Sequence, residues 1–336
     1  MKDRKNIIIL SIFIFIMAGC FFGCSSPEGN GMEKLQVKEI GNHLPSWQEE
    51  LPGDTEYKTI DASAARGLVI KKDGETVFAV SYEPRDEKEP FDCWDIPVPY
   101  KSLVSVNTEE LYDLFGMVLQ MEWKQAKSVS LEEAGIKDSS NSFFIAYNKK
   151  QKPGEKGDAE PTNARTIIIG DTDGKGNYYA ALEGTDKVAV INKALTDAIL
   201  DVDAYQYILK LPVLVGVDTV NKVQVSSEGK THKMEQEKDS WKLDGRNVEQ
   251  EEFQSLYREL ISIMVSGKTE EGYSVKEKKP ALTIQFFRNV ENATDVEVKY
   301  YEYDDKSMSV SVNGHEYFVV DKESVNGLQK IIEDRF

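Results

Sequence analysis

The feature that most constrains this chain is an internal repeat. Trp94 is followed by Val106-Asn107-Thr108-Glu109-Glu110-Leu111-Tyr112-Asp113-Leu114-Phe115, and Trp241 by Val248-Glu249-Gln250-Glu251-Glu252-Phe253-Gln254-Ser255-Leu256-Tyr257. Each block carries a tryptophan on a loop, then a valine, two glutamates and apolar residues at helical spacing. The spacing predicts helices over 106–121 and 248–264. Asn107 and Thr108 suit an N-cap, and each glutamate pair sits where carboxylates favour the positive end of a helix. Gly267 is the predicted stop of the second helix.

The ends of the blocks match as well. Asn177–Ile191 and Ser307–Val320 both alternate, turn at Gly184 or Gly314, and alternate again. Asn313-Gly314 is a strong two-residue hairpin signal. A helix is predicted after each, over 193–200 and 322–334. The fronts pair strands around Asp73-Gly74 (67–70 with 75–82) and around Glu228-Gly229 (223–226 with 230–235). Five features in one order argue for duplication over chance recurrence of common units. Trp94 and Trp241 lie 147 positions apart, a period that means two domains and not a solenoid. Strands run together without strict alternation with helices, so the predicted class is α+β, two related modules each with an antiparallel sheet packed with helices. The predicted modules span 55–200 and 218–336. The segment 201–217 between them is apolar (Ile208, Leu209, Leu211, Val213, Leu214, Val215) and is predicted to pack or form a strand. Lys149–Asn163 is polar and rich in Pro and Gly, and reads as an exposed loop.

The N-terminus carries a different signal. Lys2, Arg4 and Lys5 precede an apolar run, Ile7–Met17, that is shorter than the roughly 20 residues a membrane-spanning helix needs. Met17-Ala18-Gly19-Cys20 follows, and small residues before a cysteine resemble the lipobox of a bacterial lipoprotein. That resemblance implies a signal peptide over 1–19, followed over 20–54 by the lipidated Cys20, a tether and a lead-in. Cys24 is the alternative site, but Phe21 and Phe22 are bulky where small residues are usual. Pro27–Gly31 is a short flexible tether.

Charge and side-chain chemistry exclude several functions. The formal charge is −17, and removal of residues 1–19, which carry a net +2, leaves about −19. Such a surface repels phosphate backbones, so nucleic acid is not an expected partner. With Cys20 lipidated, Cys24 and Cys93 remain; a bridge between them is conceivable, an idle thiol at Cys93 is the simpler reading, and no cysteine pair has zinc spacing. His43, His232 and His315 are scattered. Asp171-Thr172-Asp173-Gly174-Lys175-Gly176-Asn177 imitates a calcium loop, but Lys175 and Leu182 stand where oxygen ligands belong, so a hairpin turn is predicted. Neither a nucleophile elbow nor a P-loop is present. Trp94 and Trp241 are candidate groove-lining aromatics, with a place in the core as the plainer role. The glutamate pairs need no acid–base role, since first-turn carboxylates explain them. No catalytic residue, metal site or cofactor is predicted.

The tandem tryptophan blocks, Thr166-Ile167-Ile168-Ile169-Gly170, and Tyr178-Tyr179 running to Val188-Ala189-Val190 resemble the bacterial domain-of-unknown-function 4340 family. The resemblance covers about 58–336. Val296–Tyr303 departs from it, being charged and tyrosine-rich where the first block has the isoleucine strand. It implies a membrane-anchored protein outside the cytoplasm, in some members encoded near gliding-type ABC transporters, and no catalytic residues. The expectation is a non-enzymatic lipoprotein that serves as an accessory or binding subunit of a membrane assembly. Its partners would be the membrane, through its anchor, and a transporter protein. A solute-binding lipoprotein and a cell-wall hydrolase are the alternatives.

Overall fold

The computed structural model describes residues 62–82, 94–101, 104–119, 121–148, 161, 163–291 and 293–336. Cys20, Cys24, His43, Cys93 and most of 149–162 lie outside the described residues.

The first sheet is built from β1 (Ala65–Lys72), β2 (Glu75–Tyr82), β3 (Trp94–Val98), β4 (Lys124–Gln125), β5 (Asn141–Tyr147), β6 (Asn163–Thr172), β7 (Asn177–Leu182) and β8 (Ala189–Asn192). Helix α1 (Thr108–Leu119) falls between β3 and β4, and α2 (Lys193–Leu200) follows β8. The second sheet comprises β9 (Val220–Ser227), β10 (Lys230–Glu237), β11 (Ser240–Leu243), β12 (Arg246–Val248), β13 (Val265–Lys268), β14 (Leu282–Arg288), β15 (Val296–Glu302), β16 (Ser307–Val312) and β17 (His315–Asp321). Helix α3 (Gln250–Ile261) precedes β13, and α4 (Lys322–Arg335) follows β17. The protein is α+β with two antiparallel sheets.

Strand order exposes the duplication. The first sheet runs β3-β2-β1-β5-β6-β7-β8-β4, and the second β12-β11-β10-β9-β14-β15-β16-β17-β13. Setting β12 aside, the two orders agree strand for strand, and the helices fall at the same points of each series.

Local chemistry repeats as well. Asp73-Gly74 and Glu228-Gly229 close β1–β2 and β9–β10 with both residues at positive φ (52° and 84°; 51° and 82°). Asn313-Gly314 has the same signature between β16 and β17, at 49° and 83°. That backbone matches the twist of the flanking strands. Helix α1 buries Leu111, Leu114, Phe115 and Val118; α3 buries Phe253, Leu256, Tyr257 and Leu260. These four pairs share one offset of 142, so both helices present the same face to their cores. Each such side chain stabilises its core by about 1.5–3 kcal/mol. Asn192 and Asp321 each end a strand and cap the next helix, accepting from the amides of Leu195 and Glu323. In each case the first amide of the helix donates to the loop before the preceding hairpin, Lys193 to Gly176 O (3.2 Å) and Lys322 to Lys306 O (2.9 Å).

Three local expectations differ from the structure. The tryptophans sit in strands, β3 and β11, and not in loops. Aromatic residues suit a pleated, half-buried surface, and Trp241 lies opposite Gln236 and Val248 in the ladder. Helix α3 ends at Ile261, and Gly267 lies in β13 opposite Val319. The Val265 amide already donates to Lys210 O (2.8 Å), which commits that stretch to extended structure. The first helix, read over 106–121, begins at Thr108, because Val106 bridges Ile208.

The described residues form two compact units. One holds residues to Tyr82, Pro97–Pro99 and Glu109–Val202; the other holds 94–96, Tyr100–Thr108 and Asp203–Phe336. Within 201–217, Ala204–Tyr207 form a 3-10 turn capped by Asp203, and Ala204, Tyr207, Ile208, Val213 and Val215 are buried.

Candidate functional site

The aspartate–glycine loop is a structural turn that occurs twice. Asp173 Oδ1 accepts from the amides of Lys175 (2.7 Å) and Asn177 (3.0 Å), and Oδ2 accepts from the Asn177 side-chain amide (2.7 Å). In the second sheet Asp304 Oδ1 accepts from the amides of Lys306 (2.8 Å) and Ser307 (2.7 Å). Both carboxylates are held below the ordinary aspartate range, Asp173 first by Asn177 and Asp304 first by the Lys306 amide. These hydrogen bonds stabilise the ionised form. Asp171 turns away: its carboxylate lies against Gly135, so close that a Cβ there would be 2.5 Å from Oδ2. Leu182, at the position where a calcium loop needs its last carboxylate, is buried. Among the described residues no group of three His, Cys, Asp or Glu is arranged to hold a metal ion.

The two tryptophans occupy equivalent strands in different surroundings. Trp94 is 2% exposed, while Trp241 is half-buried. The glutamate pairs begin α1 and α3, and Glu252 meets Arg246 at 3.2 Å. His232 contacts Asp244 through Nδ1 at 2.7 Å and stacks on Phe336 with ring centroids 4.7 Å apart. His315 stacks on Tyr317. The two described histidines thus stand apart, each engaged by a neighbour. A shallow depression is lined by Gly184, Thr185, Asp186 and Lys187, all from the β7–β8 turn.

A further cluster lay outside the reach of sequence reading. In the second unit Tyr100 packs against Tyr317 (5.1 Å) and Phe318 (5.3 Å), and Tyr205 against Phe318 (6.2 Å). The Lys101 amide donates to the Tyr317 hydroxyl at 2.5 Å. Lys210 Nζ lies 3.3 Å from the centre of the Tyr205 ring and donates to the Tyr205 carbonyl. Lys268 Nζ reaches both oxygens of Asp203, at 3.2 and 3.0 Å. Burial pushes the Tyr100 hydroxyl up, with the charge of Asp203 adding to it. Burial works against the Asp203 carboxylate, yet Lys268, the Tyr205 amide and Lys210 together hold it below the ordinary value. Lys210 is lowered, first by burial. The arrangement offers stacking and ion pairing, with Tyr100 engaged by Tyr317 and Phe318, and Tyr205 by Phe318 and Lys210. Its members are separated by up to 218 positions (Tyr100 to Phe318), and no local pattern marks them.

A family model described as Domain of unknown function (DUF4340) matches residues 94–285, more than half of the chain. No curated protein and no solved structure matches it.

Proposed function

This chain belongs to the DUF4340 family, and from that premise we propose that it is a non-enzymatic lipoprotein, anchored to the cell membrane and facing outside the cytoplasm. It serves there as an accessory or binding subunit of a membrane assembly such as an ABC-type transporter. The observation that carries this reading is Met17-Ala18-Gly19-Cys20 directly after the apolar run Ile7–Met17. Cleavage before Cys20 and acylation with two or three chains would give stable attachment, where one chain gives only marginal, reversible binding. Among the described residues no helix is long and apolar enough to cross a membrane. Among the described residues, three side chains that might have suggested catalysis have structural occupations: Asp173 in a turn, Glu252 with Arg246, His232 with Asp244.

The test has three arms. Labelled palmitate should enter the wild-type chain, and Cys20→Ala should abolish labelling and leave an unprocessed precursor. Crosslinking in intact membranes should recover an integral membrane protein with the wild type and lose it with Cys20→Ala. Purified protein should turn over no peptidoglycan, ester or phosphate substrate above background. Normal labelling of Cys20→Ala would overturn the anchor assignment. Turnover abolished by a single substitution would overturn the non-enzymatic reading.

A further inference from the structure

The repeat assigns residues 100–108 to the first block, yet Tyr100, Lys101 and Val104–Thr108 are built into the second unit. We infer that the connection between β3 and α1 is a strap that completes the second unit, so that the second block of the repeat is not an autonomous folding unit.

The argument starts from the two equivalent connections. In the second block the chain turns at Asp244-Gly245 and pairs with its own sheet, β12 against β11, with Val248 opposite Trp241. Val106 is the counterpart of Val248 by the sequence repeat, but it bridges Ile208. Two backbone hydrogen bonds flank that bridge, Asn107 N–H to Tyr207 O and Leu209 N–H to Ser105 O, both 2.8 Å. One residue on, Lys210 O accepts from the amide of Val265, the first residue of β13. Residues 207–210 therefore lie between the strap on one side and the start of β13 on the other.

Side chains fasten the strap at its described residues. Tyr100, Val104 and Val106 are 5%, 5% and 3% exposed. Tyr100 meets Tyr317 and Phe318 of β17, and the Lys101 amide donates to the Tyr317 hydroxyl. Without the strap, Ser105 and Asn107 no longer satisfy the backbone of Leu209 and Tyr207, and buried backbone groups left unpaired are costly. Tyr207 and Ile208 are 7% and 2% exposed, and Val106 bridges Ile208.

The experiment is hydrogen exchange on the full-length protein, resolved to individual segments. Tyr100→Ala removes the ring that covers β17. Asn107→Pro removes the amide that donates to Tyr207 while favouring an extended Val106, and it serves if the first variant fails to fold. Exchange should accelerate by about tenfold or more in residues 203–210, β13 and β17, with protection in β1, β5 and β6 unchanged. Loss of protection in β1, β5 and β6 would overturn the inference, since the strap would then support the first unit. Unchanged protection of β13 and β17 in the folded variants would overturn it as well.

Discussion

Replacing each repeat tryptophan by alanine should separate two side chains that the sequence presents as equivalent. Trp94 in β3 is 2% exposed and heads the largest fully buried side chains, so truncation there leaves a cavity. Large-to-small changes of this kind cost about 3–5 kcal/mol. Trp241 in β11 is partly buried. With about two thirds or more of a ~200 Å² side chain removed from water at ~25 cal/mol per Å², its burial stabilises by about 3–4 kcal/mol. Solvent can refill part of the space, so Trp241→Ala should cost about 1–3 kcal/mol, less than the loss at Trp94. Against a total stability of about 5–15 kcal/mol, the first variant should come close to unfolding and the second should remain folded. The assay is denaturant unfolding followed by segment-resolved hydrogen exchange, because two units need not unfold in a single transition. Trp94→Phe, which keeps an aromatic ring, should recover most of the loss. Equal losses for the two alanine variants, or a larger one at Trp241, would refute the argument from burial.

Other outcomes follow from particular contacts. A Cβ at Gly170 would lie 2.1 Å from Ala134 O and 2.8 Å from Ile136 Cδ1, so Gly170→Ala should cost about 1–3 kcal/mol in thermal or denaturant unfolding. Tyr257→Phe removes the hydroxyl that donates to Val215 O at 2.9 Å and should cost about 1–3 kcal/mol, measured in the same way. Asp173 and Asp304 have folded-state pKa values below the ordinary 3.8, so their turns are fully stabilised above that value and lose stability as pH falls through the lowered ones. Amide shifts of Lys175, Asn177, Lys306 and Ser307 should therefore move together in an acid titration. Asn177→Ala should raise the titration of Asp173 and leave that of Asp304 unmoved.

The sequence made much of the fold readable because its signals were local. Asn313-Gly314, Asp73-Gly74 and Glu228-Gly229 supply the left-handed backbone that two-residue hairpins require, and each lies where the turn was expected. The helical spacing of Leu111, Leu114, Phe115 and Val118 and its copy 142 positions on marked one buried face twice. Strand order was not legible, since it depends on pairings such as β1 with β5 and β9 with β14 between distant segments. The strap was hidden for the same reason: Val106 reads as the start of a helix, and only its bridge to Ile208 gives it another place. The shared Asx turn was half visible, because Asp173 drew notice through its neighbouring glycines while Asp304 stands in Asp304-Asp305-Lys306-Ser307 without one. Val296–Tyr303 departs from the isoleucine-rich pattern of β6, yet Val296, Val298 and Tyr300 fill the alternate buried positions of β15.

The central claim, attachment through Cys20, is tested most directly by mass spectrometry of the N-terminal peptide of the mature chain extracted from membranes. The account predicts a chain that begins at Cys20 and carries acyl groups on that residue, with no peptide from residues 1–19. An unmodified peptide that runs through Met17-Ala18-Gly19-Cys20, or acyl groups on Cys24 alone, would contradict it.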